Sequence, residues 1–347
     1  MDRIDTMTQR FTQAVATTPQ QTPPIWCMRQ AGRYQRSYQA LRHRHTFDDL
    51  CRQPELSARV AMNAVEEFDF DAAILFSDLL YPLDALGLPV RYDDGGPKLE
   101  RRLTAESVES LRDADEAIEH LAFQAEAIAE TRHRLPTDRG LIGFVGGPWT
   151  LFVYAVEGTH VGALTQAKTA WPLYRRFANR VRPLIERMAK AQLDAGADLV
   201  MVFDTAAGDL SPAAFRQHVA PDLDASATAR PHRPGYYARG LHPAHLDGRG
   251  AASLGPWAGL GIDWRWNLAD VLERSRCGFV QGNLDPSILH LSGATLIRAL
   301  DEFLDPIARL SPEARRGWIC GLGHGVLPGT PEASVKAFVS AVRTRLS

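Results

Sequence analysis

Cysteine is scarce in this chain: Cys27, Cys51, Cys277 and Cys320 are the four among 347 residues. They are too few and too scattered for a disulfide framework. No CxxC, HxC or HExxH spacing occurs, which disfavours a zinc site built from neighbouring ligands. GxxxxGK[ST], GxSxG and GxGxxG are also absent, so no nucleotide loop or nucleophile elbow is offered. No apolar run approaches the roughly 18–20 residues of a membrane span. Neither sign of charge is in excess, since 39 Lys+Arg against 41 Asp+Glu leave −2. That balance excludes a globally basic nucleic-acid binder and an acidic solvating tail. The opening Met1-Asp2-Arg3-Ile4-Asp5 has no apolar h-region, so a cytoplasmic protein without a secretory signal is expected. Neither nucleic acid nor membrane is expected as a partner.

What is present fits a folded globular chain, with 45% hydrophobic and 23% charged residues. Eight short apolar runs stand out: 24–28, 72–76, 141–145, 198–203, 234–238, 259–262, 277–281 and 317–321. Each ends in Gly, Pro or a polar cluster, and several are β-branched or aromatic. Such runs suit strands buried on both faces of a parallel sheet. Amphipathic segments lie between them: Ile118, Leu121, Ala125 and Ile128 recur at helical spacing, as do Val335, Phe338, Val339, Val342 and Leu346. Ser211-Pro212 and Thr330-Pro331 each place a capping hydroxyl before a proline suited to a first helical position. Eight strands alternating with helices predict an α/β fold, a (β/α)8 TIM barrel forming one domain over 1–347, with 1–20 as an N-terminal helical extension. A doubly wound open sheet is the alternative. The stretch 225–260 reads as long loops.

In a barrel of this kind the chemistry sits at the C-terminal ends of the strands. There the chain places Arg29 to Tyr34, Ser77-Asp78, Gly146 to Thr150 leading to Tyr154, Asp204-Thr205, Arg239, Asp263-Trp264, Gly282 to Pro286 and Gly323-His324-Gly325. Arg29 and Arg33 are four apart. If the turn after the first strand is helical, both guanidinium groups face one side and suit bidentate capture of carboxylate or phosphate. The same spacing fits an ion-paired helix face equally well. Asp78, directly after Ala-Ala-Ile-Leu-Phe-Ser, is a carboxylate costly to desolvate unless a cation or several donors meet it. A helix N-cap is the plainer reading. His324 between two glycines reads either as a site group or as a satisfied core histidine. Tyr154 and Thr205 alone are weak signals. Gly282–Pro286 reads as a tight structural turn, and Arg42–His45 and Arg315-Arg316 as solvated faces.

Several segments resemble one known family. Trp26-Cys27-Met28-Arg29-Gln30-Ala31-Gly32-Arg33-Tyr34 is similar to the N-terminal signature of uroporphyrinogen decarboxylases. Phe76-Ser77-Asp78 with Ala85-Leu86-Gly87, Gly147 to Leu151 with Tyr154 and Val156-Glu157-Gly158, Phe203-Asp204-Thr205 with Gly208, Gln281 to Pro286, and Leu322 to Gly325 agree in order. The resemblance runs from about residue 22 to the C-terminus. It implies a (β/α)8 barrel, a homodimer and no cofactor. It also implies removal of CO2 from the four acetates of uroporphyrinogen III, giving coproporphyrinogen III in haem and tetrapyrrole synthesis. Carried onto this chain, it implies substrate contact by Arg29, Gln30, Ala31, Gly32 and Arg33, by Asp78, Tyr154 and Thr205, and by His324. It assigns catalysis to Asp78, Arg29, Arg33, Tyr154 and His324, with Arg42 and Phe47 as further pocket positions. The chain departs from the family at Gln35-Arg36-Ser37, where Leu-Pro-Glu is usual, and near Tyr237–Gly250, which lacks the usual Lys-Gly-rich loop.

Pyrrole chemistry explains why such residues are needed without a bound cofactor. Protonation at a ring α-carbon makes a cationic imine, which accepts the electron pair left by CO2. A carboxylate aimed at the pyrrole N–H groups strengthens its bonds as the ring becomes cationic. At roughly 4 Å and an effective dielectric of about 20, that attraction is about 4 kcal/mol as an upper guide. Arginines grip the substrate's acids locally, because the net charge of −2 gives no global attraction. Of the titrating groups, His324 and Tyr154 are the more convenient proton donors, His324 nearest neutrality. Three other functions compete. A zinc-dependent corrinoid methyltransferase of the same superfamily calls for a His-x-Cys pair near the fifth strand, where the chain reads Tyr236-Tyr237-Ala238-Arg239. A barrel enzyme for a phosphorylated small molecule leaves Asp78 unexplained. A non-catalytic tetrapyrrole carrier would bind without releasing CO2.

Overall fold

The strands of the main sheet are buried on both faces, and successive side chains turn to opposite layers. The computed structural model describes residues 9–93, 96–228, 234–246, 257–275 and 278–347. Its strands are β1 (Ala72–Ile74), β2 (Val90–Asp93), β3 (Gly96–Leu99), β4 (Gly140–Gly146), β5 (Leu199–Phe203), β6 (Gly235–Tyr237), β7 (Gly259–Gly261), β8 (Phe279–Leu284) and β9 (Trp318–Leu322). Phe144, Met201, Phe203, Tyr237, Phe279 and Ile319 share one buried apolar cluster. Their chain neighbours Val145, Val200, Val202, Tyr236, Val280 and Trp318 belong to another, with the helices. The first set fills the barrel and the second seals it against the helical layer. Each large apolar side chain so buried contributes roughly 1.5–3 kcal/mol of transfer free energy.

Seven strands pair in parallel in the order β1-β4-β5-β6-β7-β8-β9. The eighth stave is the segment at Ile25, which forms a parallel bridge to Cys320. Trp26 N donates to Cys320 O (3.0 Å), Cys320 N to Pro24 O (2.9 Å), and Asp71 N to Ile25 O (2.9 Å). The ring therefore closes between β9 and β1. Where main-chain pairing to β1 lapses, a side chain replaces it: Gln30 Nε2 donates to Ala72 O (2.8 Å) and Gln30 Oε1 accepts from Cys27 N (3.3 Å). Below the barrel, Asp71 gathers Arg10 (3.3 Å), Arg139 (3.6 Å) and Arg343 (2.6 Å). It also accepts from Ile25 N at 2.7 Å, which pins the first stave to the second.

Seven of the eight expected strands lie at or within two residues of observed ones, except that β8 runs on to Leu284; the first, 24–28, is reduced to the single bridge at Ile25. Gly282–Leu284 is therefore strand rather than the expected turn. Its anchors are structural: Trp318 Nε1 donates to Gly282 O, and Asn283 Nδ2 donates to Asp263 O and Trp266 O. Cys277 and part of the expected 225–260 loops lie outside the described residues. Helix boundaries differ in two places. The segment through Ile118 and Ile128 is two helices, Ala114–Glu119 and Ala122–Arg134. Ser211 does cap its helix, accepting from Ala214 N at 3.2 Å. Thr330 does not: its hydroxyl turns back to Leu327 O and Pro331 takes the N-cap position. Arg315 is not solvated either. It is buried, with Nη2 donating to Gln21 O at 3.2 Å. In the N-terminal extension, Arg10–Val15 is helical and seats Phe11 in the core. No described helix is long and apolar enough to cross a membrane.

Candidate active site

Asp78 follows β1 at the C-terminal rim. Its Oδ1 accepts from Leu80 N (2.9 Å) and from Tyr92 OH (3.1 Å). The first bond is a local Asx turn that occupies one oxygen only; Asp78 is not the helix N-cap, because Leu80 holds that position ahead of Tyr81–Ala85 with no side-chain capping bond. Asp78 has no ion-pair partner and Oδ2 no hydrogen bond among the described residues. Burial pushes its carboxyl above the usual value; the bonds from Leu80 and Tyr92 and the charge of Arg29 pull it down less strongly. Tyr92 belongs to the β2–β3 hairpin, which is antiparallel with Val90 opposite Leu99. Phe47 packs on Tyr92 (5.1 Å) and on Phe76 (5.9 Å), so it supports the acid through the hairpin.

The turn after the first stave is not helical. Arg29 has φ +55°, a left-handed conformation, and the expected helical pairing of Arg29 with Arg33 does not form. Arg29 reaches over the barrel mouth. Its stem lies against Gly325, where a Cβ would stand 2.4 Å from Arg29 Cδ. Its charge acts on Asp78, Tyr154, His324 and Tyr237. Arg33 faces another way, beside Tyr38 and Arg42. Both arginines are exposed and without a carboxylate partner among the described residues. Arg42 itself donates to His45 O at 2.7 Å. Gln30 departs from expectation. It is wholly buried and its amide is engaged with Ala72 and Cys27, so its side chain does not face the mouth. Ala31 and Gly32 are half-buried, and Gly32 N donates to Gln35 Oε1 at 3.0 Å.

Tyr154 projects from the helix Pro148–Glu157, half-buried, and burial and Asp78 raise its phenol above the usual value. Thr205 opens the 3₁₀ turn after β5 and is half-buried there. Its neighbour Asp204 points outward to the helical layer, as the strand alternation requires. It accepts from Thr150 N at 2.7 Å, lies 3.4 Å from Tyr236 OH, and burial pushes it up to about 6. His324 follows β9. Its Nδ1 lies 2.9 Å from Tyr237 OH, and the two rings stack 6.0 Å apart. Burial, then Arg29 and Arg239, pull its pKa down to about 3. The imidazole is therefore neutral at neutral pH, contrary to the expectation of a convenient proton donor.

Three residues of the mouth, Tyr237, Tyr92 and His160, escape motif reading, and Arg239 is read only as a strand-end position. Tyr237 is the last inward residue of β6 and so reaches the cavity; strand parity alone would have found it. Tyr92 was signalled by Val90-Arg91-Tyr92 alternation before an Asp-Gly turn sequence. Arg239 stands 6.0 Å from the Trp264 ring, with Arg265 at 5.0 Å from the same ring. His160 Nε2 lies 2.5 Å from Asp209 Oδ2, and nothing in the sequence pairs them.

The rim thus combines a carboxylate, guanidinium groups without a carboxylate partner among the described residues, a phenol and a neutral imidazole. The family model for "Uroporphyrinogen decarboxylase (URO-D)" matches residues 6–345. A uroporphyrinogen decarboxylase of Anaeromyxobacter sp. (strain Fw109-5) is 36% identical over 350 residues, covering 97% of this chain and 98% of that protein. One of Solibacter usitatus (strain Ellin6076) is 33% identical, covering 98% and 99%. A solved methyltransferase from Methanosarcina mazei superposes with a TM-score of 0.79 over 98% of this chain and 99% of its own, at 19% identity, a likeness of fold. The chain belongs to the uroporphyrinogen decarboxylase family.

Proposed function

We propose that this chain is a carboxy-lyase that converts uroporphyrinogen III to coproporphyrinogen III, releasing CO2 from four acetate side chains. The observation that carries the mechanism is Asp78 Oδ2, without a hydrogen bond among the described residues and under the charge of Arg29. In this account Asp78 accepts from the pyrrole N–H groups. It stabilises the cationic ring more than the neutral one, which lowers the barrier. Arg29 and Arg33 hold carboxylates of the substrate, Tyr154 orients the reacting acetate, and Thr205 and His324 line the pocket. Ala31 and Gly32 contribute backbone surface. His324, neutral, positions rather than protonates.

We further propose a homodimer, a cytoplasmic location, no resident cofactor, and residues 1–347 as one barrel unit with its N-terminal extension. The test is incubation with anaerobically prepared uroporphyrinogen, with EDTA present and products separated by chromatography. Stepwise loss of four carboxyl groups is expected. Unchanged substrate would overturn the proposal.

A further inference from the structure

The His160–Asp209 pair has no part in the account so far. His160 lies in the segment after the helix that carries Tyr154, and its ring meets the Tyr154 ring edge-on at 6.5 Å. Nε2 is held by Asp209 Oδ2 at 2.5 Å, and Nδ1 has no partner among the described residues. The side chain of His160 is 20% exposed and that of Asp209 51%. The pair therefore stands beside Tyr154 and within reach of water. Tyr154 packs on His160, the charge of His160 acts on Asp204 and His324, and Lys168 and Arg239 act on Asp209. An imidazole fixed at one nitrogen by a carboxylate, with the other nitrogen free, is an arrangement suited to moving a proton.

The proposed reaction consumes one proton for each acetate. Protonation at the ring α-carbon is undone at the end. Loss of CO2 leaves its electron pair in an exocyclic C=CH2, and that carbon must gain a proton to become methyl. Arg29 is too weak an acid for the task. Asp78 has to stay ionised, and His324 is neutral. We infer that His160, oriented by Asp209, is a further catalytic residue that delivers this proton from Nδ1. The Nδ1–H bond breaks as the C–H bond of the new methyl forms. The ring becomes cationic again over Asp78 and then loses its α-carbon proton, which restores the pyrrole. His160 regains its proton from water. The inference rests on the decarboxylase function proposed above.

The test compares wild type with His160→Ala, His160→Gln and Asp209→Asn, with thermal melts to confirm folding. Gln keeps a donor for Asp209 but cannot transfer a proton. Both His160 variants should lose about 10²-fold in kcat, with KM changed little. Added imidazole should restore part of the turnover of His160→Ala and leave wild type unaffected. Asp209→Asn should lose about 10-fold in kcat. Wild-type kcat in a folded His160 variant, or a loss that imidazole does not relieve, would overturn the inference alone. Failure of the wild type to form coproporphyrinogen would overturn the decarboxylase function, and the inference with it.

Discussion

Single side chains in this molecule differ mainly in how burial treats their charge. Asp204 is wholly buried, and its folded pKa of about 6 lies above the ordinary 3.8. A raised carboxylate contributes stability below the unfolded value, and loses it as pH rises through the folded one. Stability from this residue should therefore fall between about pH 4 and 6, by on the order of 3 kcal/mol. Asp204→Asn keeps an acceptor for Thr150 N, and its denaturant-melt stability should decline less than wild type over that window. An equal decline would place the effect elsewhere. His324 is shifted the opposite way, to about 3. The acid limb of kcat/KM should then belong to Asp78, whose carboxyl is raised, and activity should fall as pH drops and that acid protonates. His324→Gln should keep substantial activity and leave the limb where it is. A pH–rate profile whose limb moves in that variant would contradict the neutral imidazole.

At the scale of elements, close approach of loops sets the site. A Cβ on Gly208 would stand 1.8 Å from Arg239 O, so the turns after β5 and β6 touch through a glycine. Gly208→Ala must move main chain, and should cost about 1–3 kcal/mol in a melt. Gly325→Ala meets only the flexible stem of Arg29. It should fold normally but displace the guanidinium, raising KM several-fold; an unchanged KM would show that Arg29 does not grip substrate. Strands were legible because each is a short apolar run closed by a polar rim. The first stave was legible although only Ile25 forms a bridge, since Trp26-Cys27-Met28 still reads as buried strand. Helical spacing carried across His120 and Leu121 hid the break between two helices. Asp78 was legible from its place after a buried run. The hairpin bearing Tyr92 was not read, and the partnership of His160 with Asp209 spans 49 residues that only the fold brings together.

Across the whole molecule, a near-neutral chain must attract a polyanion through local field alone. Arg29 and Arg239, without a carboxylate partner among the described residues, stand at one mouth, with Arg33 turned toward Tyr38 and Arg42, whereas the opposite end holds arginines already clasped by Asp71. Because the attraction is local, substrate KM should rise steeply with salt while kcat changes little, as steady-state assays at two ionic strengths would show. The central claim concerns charge at one point in that mouth: the Asp78 carboxylate supports a cationic pyrrole. Its most direct test is Asp78→Asn, which preserves shape and the bond from Leu80 N. Turnover of uroporphyrinogen should fall at least roughly 10²-fold, with the melt and product affinity nearly unchanged. A folded Asp78→Asn enzyme that turns over near the wild-type rate would contradict the account.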